Sequence, residues 1–232
     1  MSPRSASRTW PKGITREAII SAAMELTSDK GLEAWTVRDL AKALGVYPAV
    51  IHHHMGNRET VVTAVLDRVL AKYQLPGENL PWQDWWRRLL TNMREVFIQF
   101  PGSARRIAIN GPSRGPDDLM VDRAMRTLWD AGFERDEAAV VCRILVIQAC
   151  LFISLEDDRR CTGKTKDHVS DAEGGWSPTP VPPAGVNPAE TAKDHVEDPE
   201  KNPDHSGDLF DYAIGRMLDG VEMRLKEIRR GS

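Results

Sequence analysis

Apolar residues recur at a helical spacing of three and four along most of the chain. The first such segment follows Thr15, which can cap a helix, and Gly31 can end that helix in a left-handed conformation. Its apolar positions share one helical face: Ala18, Ile19, Ala22, Ala23 and Leu26. The pattern therefore predicts an amphipathic α-helix near the N-terminus.

Two short helices are predicted directly after the first one. Thr36 can cap the second helix, and Gly45 closes it soon afterwards. Pro48 can occupy the first turn of a third helix, because its missing N–H is not needed there. Asn57 can cap a fourth, longer helix that stops before Pro76. Two short helices joined by a glycine-containing turn, after one longer helix, indicate a helix-turn-helix unit.

The remainder of the chain also has helical periodicity. Breaks occur at Pro101-Gly102 and at Gly132. The predicted helices cover residues 82–100, 117–131, 136–158 and 208–229, and a short segment at residues 103–109 lies between the first two. The sequence therefore predicts an all-α fold.

A different composition separates the last two predicted helices. Residues 160–206 contain seven prolines and many Asp, Glu, Lys and Gly, but few large apolar residues. Such a segment cannot bury enough surface to offset the entropy lost on ordering it, so we predict a mobile, acidic, Pro-rich loop. It is either an inert insertion or a lid over a ligand entrance, with Trp176 as its candidate anchor.

Charge is distributed unevenly along the chain. Residues 1–75 hold ten Lys and Arg against seven Asp and Glu, whereas residues 156–208 hold six against thirteen. We predict a flexible basic arm at residues 1–14, and the basic excess at this end is compatible with nucleic-acid binding. No uninterrupted apolar run approaches the roughly 20 residues that span a bilayer, so no membrane partner is expected.

The three cysteines lack the spacing of a disulfide framework, which favours a reducing, cytoplasmic compartment. Cys161 lies beside two arginines and is a better candidate for a redox-sensitive thiol than Cys142 or Cys150. The sequence contains no Ser-His-Asp arrangement, metal-ligand spacing or phosphate-binding loop. We therefore expect no enzyme activity, no metal and no cofactor.

Three consecutive histidines, His52 to His54, lie in the predicted third helix. Adjacent residues of a helix point about 100° apart, so the three rings cannot converge on one metal ion. No acidic or nucleophilic partner has helical spacing to them, which disfavours catalysis. They form either a solvated polar face or the surface of a recognition helix, where imidazole can contact bases and phosphates.

The segment "AMELTSDKGLEAWTVRDLAKALGVYPAVIHHHMGNRETVVTAVL" resembles the DNA-binding domain of TetR-family repressors. The segment "LWDAGFERDEAAVVCRILVIQACLFISLEDDRR" and the later "DLFDYAIGRMLDGVEMRL" are similar to the ligand-binding core of the tetracycline-type branch. The resemblance implies a three-helix helix-turn-helix DNA-binding domain at residues 15–74. It also implies a helical effector-binding and dimerisation domain at residues 75–230.

The resemblance also implies the DNA contacts. The positions that would read bases are Arg38, Tyr47, Pro48, Ala49, His52 and His53. The positions that would contact phosphates are Thr36, His54 and Arg58. Tyr47 replaces the usual capping Ser or Thr, and Met55 replaces the usual Phe, so we expect an operator different from that of the tetracycline repressors.

The function implied is a transcriptional repressor that binds a palindromic operator in double-stranded DNA as a homodimer and is released by an unknown small-molecule effector. Helices 136–158 and 208–229 carry the longest apolar stripes and would pair across a two-fold axis. The candidate effector-pocket residues are mostly aromatic or Met: Trp82, Trp85, Trp86, Met93, Phe97, Met120, Trp129, Phe152 and Glu156.

Two alternatives to an effector-responsive repressor stay open. One is a DNA-binding regulator without an effector, whose larger domain serves dimerisation or a protein partner, and the other is a cysteine-based redox regulator. A drug–magnesium effector is not expected, because Arg105 to Ala108 replace the segment in which tetracycline repressors have a histidine.

Overall fold

The structure is a computed structural model that describes residues 14–111, 119–165 and 205–231. Within these ranges the chain forms helices and no strands, which confirms the all-α prediction. The basic arm lies almost entirely outside the described residues, and so do Trp176 and most of the predicted loop. The helices are α1 (Arg16–Lys30), α2 (Val37–Ala43), α3 (Pro48–Met55), α4 (Arg58–Leu70), α5 (Trp82–Phe97), α6 (Ser103–Asn110), α7 (Leu119–Ala131), α8 (Arg135–Thr165) and α9 (His205–Gly231).

The predicted caps are present at the starts of α1 and α2. The Thr15 hydroxyl accepts a hydrogen bond from the N–H of Ala18 at 3.1 Å. The Thr36 hydroxyl oxygen accepts from the N–H of Asp39 at 3.2 Å, and the Asp39 carboxylate accepts from the N–H of Thr36 at 2.8 Å. These two bonds form a complete capping box, with Asp in the place that Glu usually takes.

The connection between α2 and α3 is a tight turn. Gly45 has a φ of 65°, in the left-handed region that glycine adopts without steric cost. The N–H of Val46 then donates to the carbonyl of Ala41 at 3.0 Å, and Pro48 begins α3 as predicted. These features fix the end of α2 and the start of α3.

The core of the N-terminal domain (α1–α4) contains one buried polar link. The indole N–H of Trp35 donates to the Thr27 hydroxyl at 2.9 Å, and that hydroxyl donates to the carbonyl of Ala23 at 2.7 Å. Trp35, Thr27 and Ala23 are all buried. The link therefore holds the α1–α2 connection against α1 and satisfies both the Trp35 N–H and the Thr27 hydroxyl.

The C-terminal domain (α5–α9) is organised around α8, which packs against α5, α6, α7 and α9. Helix α8 continues to Thr165, so the predicted helix end at residue 158 is wrong, and residues 160–165 belong to the helix and not to the loop. Arg160 lies one turn after Glu156 and pairs with it, which supports the added turn. At the other end of the loop, residues 205 and 206 already belong to α9.

Helix α8 has two apolar faces. The buried face contacts the other helices of the domain and includes Ala138, Cys142, Leu145, Ala149 and Ile153. The opposite face leaves four large apolar residues exposed at helical spacing, namely Val140, Ile144, Leu151 and Leu155. By length and composition, residues 135–160 would suffice to cross a membrane, and only 39% of their most apolar window is buried. Helix α9 similarly exposes Leu209, Tyr212 and Met223 on one face.

Candidate nucleic-acid interface

Helix α3 turns one face to the core and its histidines to solvent. Its buried residues are Ile51, at 1% exposure, and Met55, at 4%. Met55 thus fills the core position that the resemblance assigns to Phe. His52, His53 and His54 are all exposed, so the rings project from the domain surface as the recognition-helix hypothesis requires.

The histidine rings have a defined local arrangement. The Nδ1 atom of His52 lies 2.7 Å from the carbonyl oxygen of Gly56. A carbonyl can only accept, so Nδ1 carries the proton and Nε2 is left to meet solvent or a ligand. The rings of His53 and His54 meet edge to face, with centroids 5.4 Å apart. Helix α3 therefore exposes the ring nitrogens of three neighbouring histidines to solvent.

Three of the other four predicted base-reading residues are also exposed. Arg38 on α2 is exposed, and so are Tyr47 and Ala49, while Pro48 is half-buried. Tyr47 precedes α3 without a capping hydrogen bond from its side chain, as expected from the absence of Ser or Thr there. The contacts of these residues with bases stay predictions.

Two of the predicted phosphate contacts have suitable surroundings. Thr36 lies at the N-terminus of α2, where helix N–H groups favour an anion, although its hydroxyl also donates to Asp39 at 2.7 Å. The side-chain and backbone hydrogen bonds from Thr36 hold the pKa of Asp39 below its usual value. His54 is exposed at the end of α3. Both contacts stay predictions.

Arg58 has partners inside the protein that sequence reasoning missed. Its guanidinium carbon lies 4.7 Å from the centroid of the Trp35 ring. Its Nη2 donates to the carbonyl of Leu32 at 2.6 Å, and its Nε donates to the carbonyl of Trp35 at 3.2 Å. Arg58 therefore fastens the α1–α2 connection to the start of α4, and a phosphate contact would require it to leave these partners.

Charged side chains connect the N-terminal domain to α6. Arg106 donates to the carboxylate of Glu59 at the start of α4, and its Nη1 lies 3.9 Å from the carboxylate of Glu33. Glu33 and Glu59 are also within ion-pair distance of Arg58. The alternating charges form a network between the two domains, which the sequence analysis did not predict.

The predicted effector-pocket residues are mostly packed core in this structure. Trp85, Trp86, Met93 and Phe97 on α5 are buried to 2% exposure or less. Trp82, Met120, Trp129 and Phe152 are half-buried. The cavity that Phe152 and Glu156 line has a volume of about 10 Å³, which is room for one water molecule. The pocket therefore stays a prediction that requires these side chains to move apart.

Glu156 is part of a buried ion pair, which sequence reasoning did not anticipate. Both of its carboxylate oxygens lie 3.1 Å from Nε of Arg94 on α5. Arg94 also lies over the ring of Phe210 on α9, 5.4 Å from its centroid. The ion pair and the Phe210 contact thus join α5, α8 and α9. Glu156 could bind a ligand only if its carboxylate gave up the contact with Arg94. Arg94 lies one turn after the buried Leu90, on the core-facing side of α5. A charged residue at such a position is the sequence signal that could have predicted a buried ion pair.

The cysteines described by the structure have little access to solvent. Cys142 and Cys150 are buried on α8, and burial raises the pKa of Cys150 to about 12. The Cys150 thiol is therefore unreactive at neutral pH, while the side chain of Cys161 lies outside the described part of the chain. Among the described residues, no group of three or more His, Cys, Asp and Glu is placed to hold a metal ion.

Residues 19–65, which span α1 to α4, match the family model described as bacterial regulatory proteins of the tetR family. Over these residues the chain is similar to TetR-family regulators. TetR-family regulators are DNA-binding transcription factors and not enzymes. The match covers the exposed histidines of α3 and the whole helix-turn-helix.

Similarity to TetR-family proteins extends beyond this domain. The class C tetracycline repressor protein of Escherichia coli is 29% identical over 128 residues, which cover 54% of this chain and 58% of the relative. The chain thus spans little more than half of that relative.

Solved TetR-family structures share the fold over most of the chain. ActR of Streptomyces coelicolor, in complex with actinorhodin, has a TM-score of 0.67 at 24% identity, covering 90% of this chain and 96% of that one. BioQ with its double-stranded DNA operator has a TM-score of 0.56 at 19% identity, covering 66% and 93%.

Proposed function

We propose that the chain is a transcriptional repressor that binds a palindromic operator as a homodimer and releases it when a small molecule binds the C-terminal domain. The observation that carries the proposal is the exposed face of α3, with three histidines held outward by a buried Ile51 and Met55. A protruding helix of this kind fits the major groove, where outward side chains meet base edges and phosphates. The proposed location is the cytoplasm, where the operator is found.

The homodimer is supported by the exposed apolar faces of α8 and α9. Monomeric proteins rarely leave a long apolar stripe in water, because covering it lowers the free energy by about 25 cal/mol per Å². The exposed residues Ile144 and Leu151 on α8 and Tyr212 on α9 belong to these stripes. A side-chain carbon added to Gly220 on α9 would meet no heavy atom within 4 Å, so a partner helix could approach closely there. Two copies paired through these faces would form a four-helix interface.

The effector is supported by the composition of the C-terminal domain and by the ligands of structural neighbours. ActR has been solved with actinorhodin, and a TetR variant of Acinetobacter baumannii with minocycline. We propose an apolar, ring-containing effector that enters between α5, α8 and α9 by separating Phe152 from Phe210, which already line a small cavity. A thermal-shift screen of aromatic compounds should find one that raises the Tm and lowers operator affinity.

A regulator without an effector is the second candidate. The small size of the cavity at Phe152 and Glu156 favours it, because a preformed ligand site usually has about 300 Å³ or more. Persistent absence of any thermal shift, in a protein that binds its operator, would support this candidate. A redox regulator would instead lose operator affinity on peroxide treatment and keep it in a Cys161→Ser variant.

DNA binding itself is tested by placing a negative charge on the exposed face of α3. In a fluorescence-anisotropy titration with mixed-sequence duplexes, His53→Glu should weaken binding by about tenfold, because the carboxylate would face the phosphate backbone. Asn79→Glu is the matched control, since Asn79 is exposed in the connection between α4 and α5 and lies outside the helix-turn-helix. Equal effects of the two variants would contradict the assignment of α3 as the DNA-binding helix.

A further inference from the structure

A single peptide group lies between the two domains and is held from both sides. The N–H of Gly102 donates to Oδ2 of Asp157 on α8 at 3.0 Å. The carbonyl of the same peptide, which belongs to Pro101, accepts from the N–H of Leu32 at 2.8 Å. Leu32 lies in the connection between α1 and α2, so this one peptide joins α8 to the N-terminal domain.

The Pro101–Gly102 peptide lies beside Leu32. Gly102 has a φ of 84°, in the left-handed region that favours glycine, and a side-chain carbon built on it would lie 3.4 Å from Cβ of Leu32. Gly102 therefore allows the turn and the α1–α2 connection to approach each other. A tight turn held by two hydrogen bonds transmits a change in position from one partner to the other more directly than a solvated contact does.

The hydrogen bonds continue from Leu32 into the helix that follows the recognition helix. The carbonyl of Leu32 accepts from Nη2 of Arg58 at 2.6 Å, and Arg58 is the first residue of α4. A continuous series of contacts thus runs from Asp157 through the Pro101–Gly102 peptide and Leu32 to Arg58. Arg58 follows the end of α3 by only three residues, at the edge of the proposed DNA-binding face.

Asp157 is an unusual residue to find at the start of this series. It is buried, and its second oxygen, Oδ1, has no hydrogen-bond partner among the residues that the structure describes. Burial raises the pKa of its carboxyl group, against the lowering effects of the Gly102 N–H and of Arg160. The hydroxyl of Ser103, the next residue after Gly102, is likewise buried and without a partner in the described part of the chain. A buried carboxylate with an unsatisfied oxygen lowers stability, so its presence points to a role in function.

Charged groups next to Asp157 have ion-pair partners of their own. On the same helix, Glu156 pairs with Arg94 of α5 and with Arg160, and the charge of Arg160 also lowers the pKa of Asp157. Asp158 lies 4.0 Å from Arg105 of α6. Among the described residues, the N–H of Gly102 is the hydrogen-bond donor to the Asp157 carboxylate.

We propose that Asp157 is a positioning residue for DNA binding: by holding the Pro101–Gly102 peptide it fixes the α1–α2 connection, and through Arg58 the start of α4, relative to the C-terminal domain. The inference rests on the proposed function, because operator binding is the activity that the positioning serves. Movement of α8 would then change the orientation of the helix-turn-helix without any contact between an effector and the N-terminal domain.

Three variants separate the hydrogen bond from the charge. Asp157→Ala removes the acceptor and leaves the Gly102 N–H unsatisfied. Asp157→Asn keeps an acceptor oxygen for the Gly102 N–H and removes the carboxylate charge. Asp158→Asn is the matched control, since Asp158 is adjacent in sequence but 65% exposed.

The experiment combines operator affinity with hydrogen exchange of the Leu32 and Gly102 amides. Asp157→Ala should reduce the protection of both amides and the operator affinity by about tenfold. Asp157→Asn should restore both to within about threefold of the wild type, and Asp158→Asn should change neither. Loss of affinity in Asp157→Asn as large as in Asp157→Ala, or unchanged Leu32 protection in Asp157→Ala, would overturn the proposal.

The wild-type protein provides a test that needs no variant. The Leu32 amide lies in a connection between helices and should nevertheless exchange as slowly as amides inside α1, because Pro101 accepts its proton. Exchange at the rate of an unprotected loop amide would overturn the inference even if Asp157→Ala failed to fold. If the wild type bound no DNA, the proposed function would fail, whereas the exchange of Leu32 would still test the link between the domains.

Discussion

The buried ion pair between Arg94 and Glu156 makes a quantitative prediction about stability. Glu156 is 5% exposed and Arg94 is 20% exposed, so both charges are largely removed from water. Replacing Glu156 by Ala leaves the partly buried Arg94 guanidinium, which lies over the Phe210 ring, without its carboxylate. Removing one partner of a buried ion pair lowers the free energy of unfolding by about 3 kcal/mol, mostly because the remaining charge is left buried without a partner.

An exposed pair provides the control for this prediction. Arg123 and Glu78 lie closer together, at 2.6 Å, but their side chains are 35% and 72% exposed. Glu78→Ala should therefore lower the free energy of unfolding by at most about 1 kcal/mol, because solvent screens the pair. The comparison separates the effect of burial from that of distance.

The double variant Arg94→Met with Glu156→Leu tests the cause directly. It removes both charges and keeps similar volume, so its stability should lie within about 1 kcal/mol of the wild type. The assay is urea denaturation at one fixed protein concentration, because dimerisation would contribute to the measured stability. A Glu156→Ala variant no less stable than Glu78→Ala, or a double variant less stable than Glu156→Ala, would refute the reasoning.

Three further predictions address the core, the dimer and the pH dependence. Thr27→Val should lower the free energy of unfolding by about 1–3 kcal/mol in urea denaturation, because it leaves the buried Trp35 N–H without an acceptor. Thr27→Ser keeps a hydroxyl at this position and should lower stability less. Equal losses in the two variants would contradict the role of the hydrogen bond between Trp35 and residue 27. Ile144→Arg should convert the proposed dimer to a monomer in analytical ultracentrifugation. Ile109→Arg is the control, because Ile109 is an apolar residue of α6 that is 71% exposed, and this variant should stay dimeric. A dimer in both variants would exclude α8 from the interface. Because the pKa of the Asp157 carboxyl is raised in the folded state, the folded protein binds the carboxyl proton more tightly than the unfolded chain does. Asp157 therefore lowers the stability of the protein as the pH rises from the ordinary pKa of an Asp carboxyl to the raised pKa. Asp157→Asn should remove that part of the pH dependence in thermal melts, and a pH profile identical to the wild type would contradict it.

Local sequence signals predicted the N-terminal domain well. The caps at Thr15, Thr36 and Asn57 are all present, because a cap depends on residues within one turn of itself. The recognition-helix hypothesis placed the histidines outward, and the structure exposes them opposite the buried Ile51 and Met55 of α3. The same local reasoning could not find partners that lie far away in sequence.

The contacts between helices and domains were the part that local patterns did not predict. Arg58 was assigned to phosphate by its place in the motif, although its neighbours in space are carbonyls more than twenty residues away. Glu156 was predicted only as a pocket residue and Asp157 was given no role, yet both follow Ile153 by one turn on its buried face. Polar residues at core-facing positions are the signal that such distant partners exist, but the sequence does not identify the partner.

The end of α8 shows a second limit of the sequence argument. Composition placed the start of the loop near residue 160, whereas the helix extends to Thr165. Polar residues can continue a helix when side chains pair one turn apart, as Glu156 and Arg160 do. A change in composition therefore marks where burial ends and not where the helix ends.

Selection of bound DNA from a random pool of duplexes is the measurement that tests the central claim most directly. If α3 reads the major groove in a symmetric dimer, the recovered sequences should contain an inverted repeat whose half-sites are separated by about one helical turn or a multiple of it. The His53→Glu variant should recover no such sequence under the same conditions. Recovery of no enriched sequence by the wild type, or of one unrepeated site, would contradict the account.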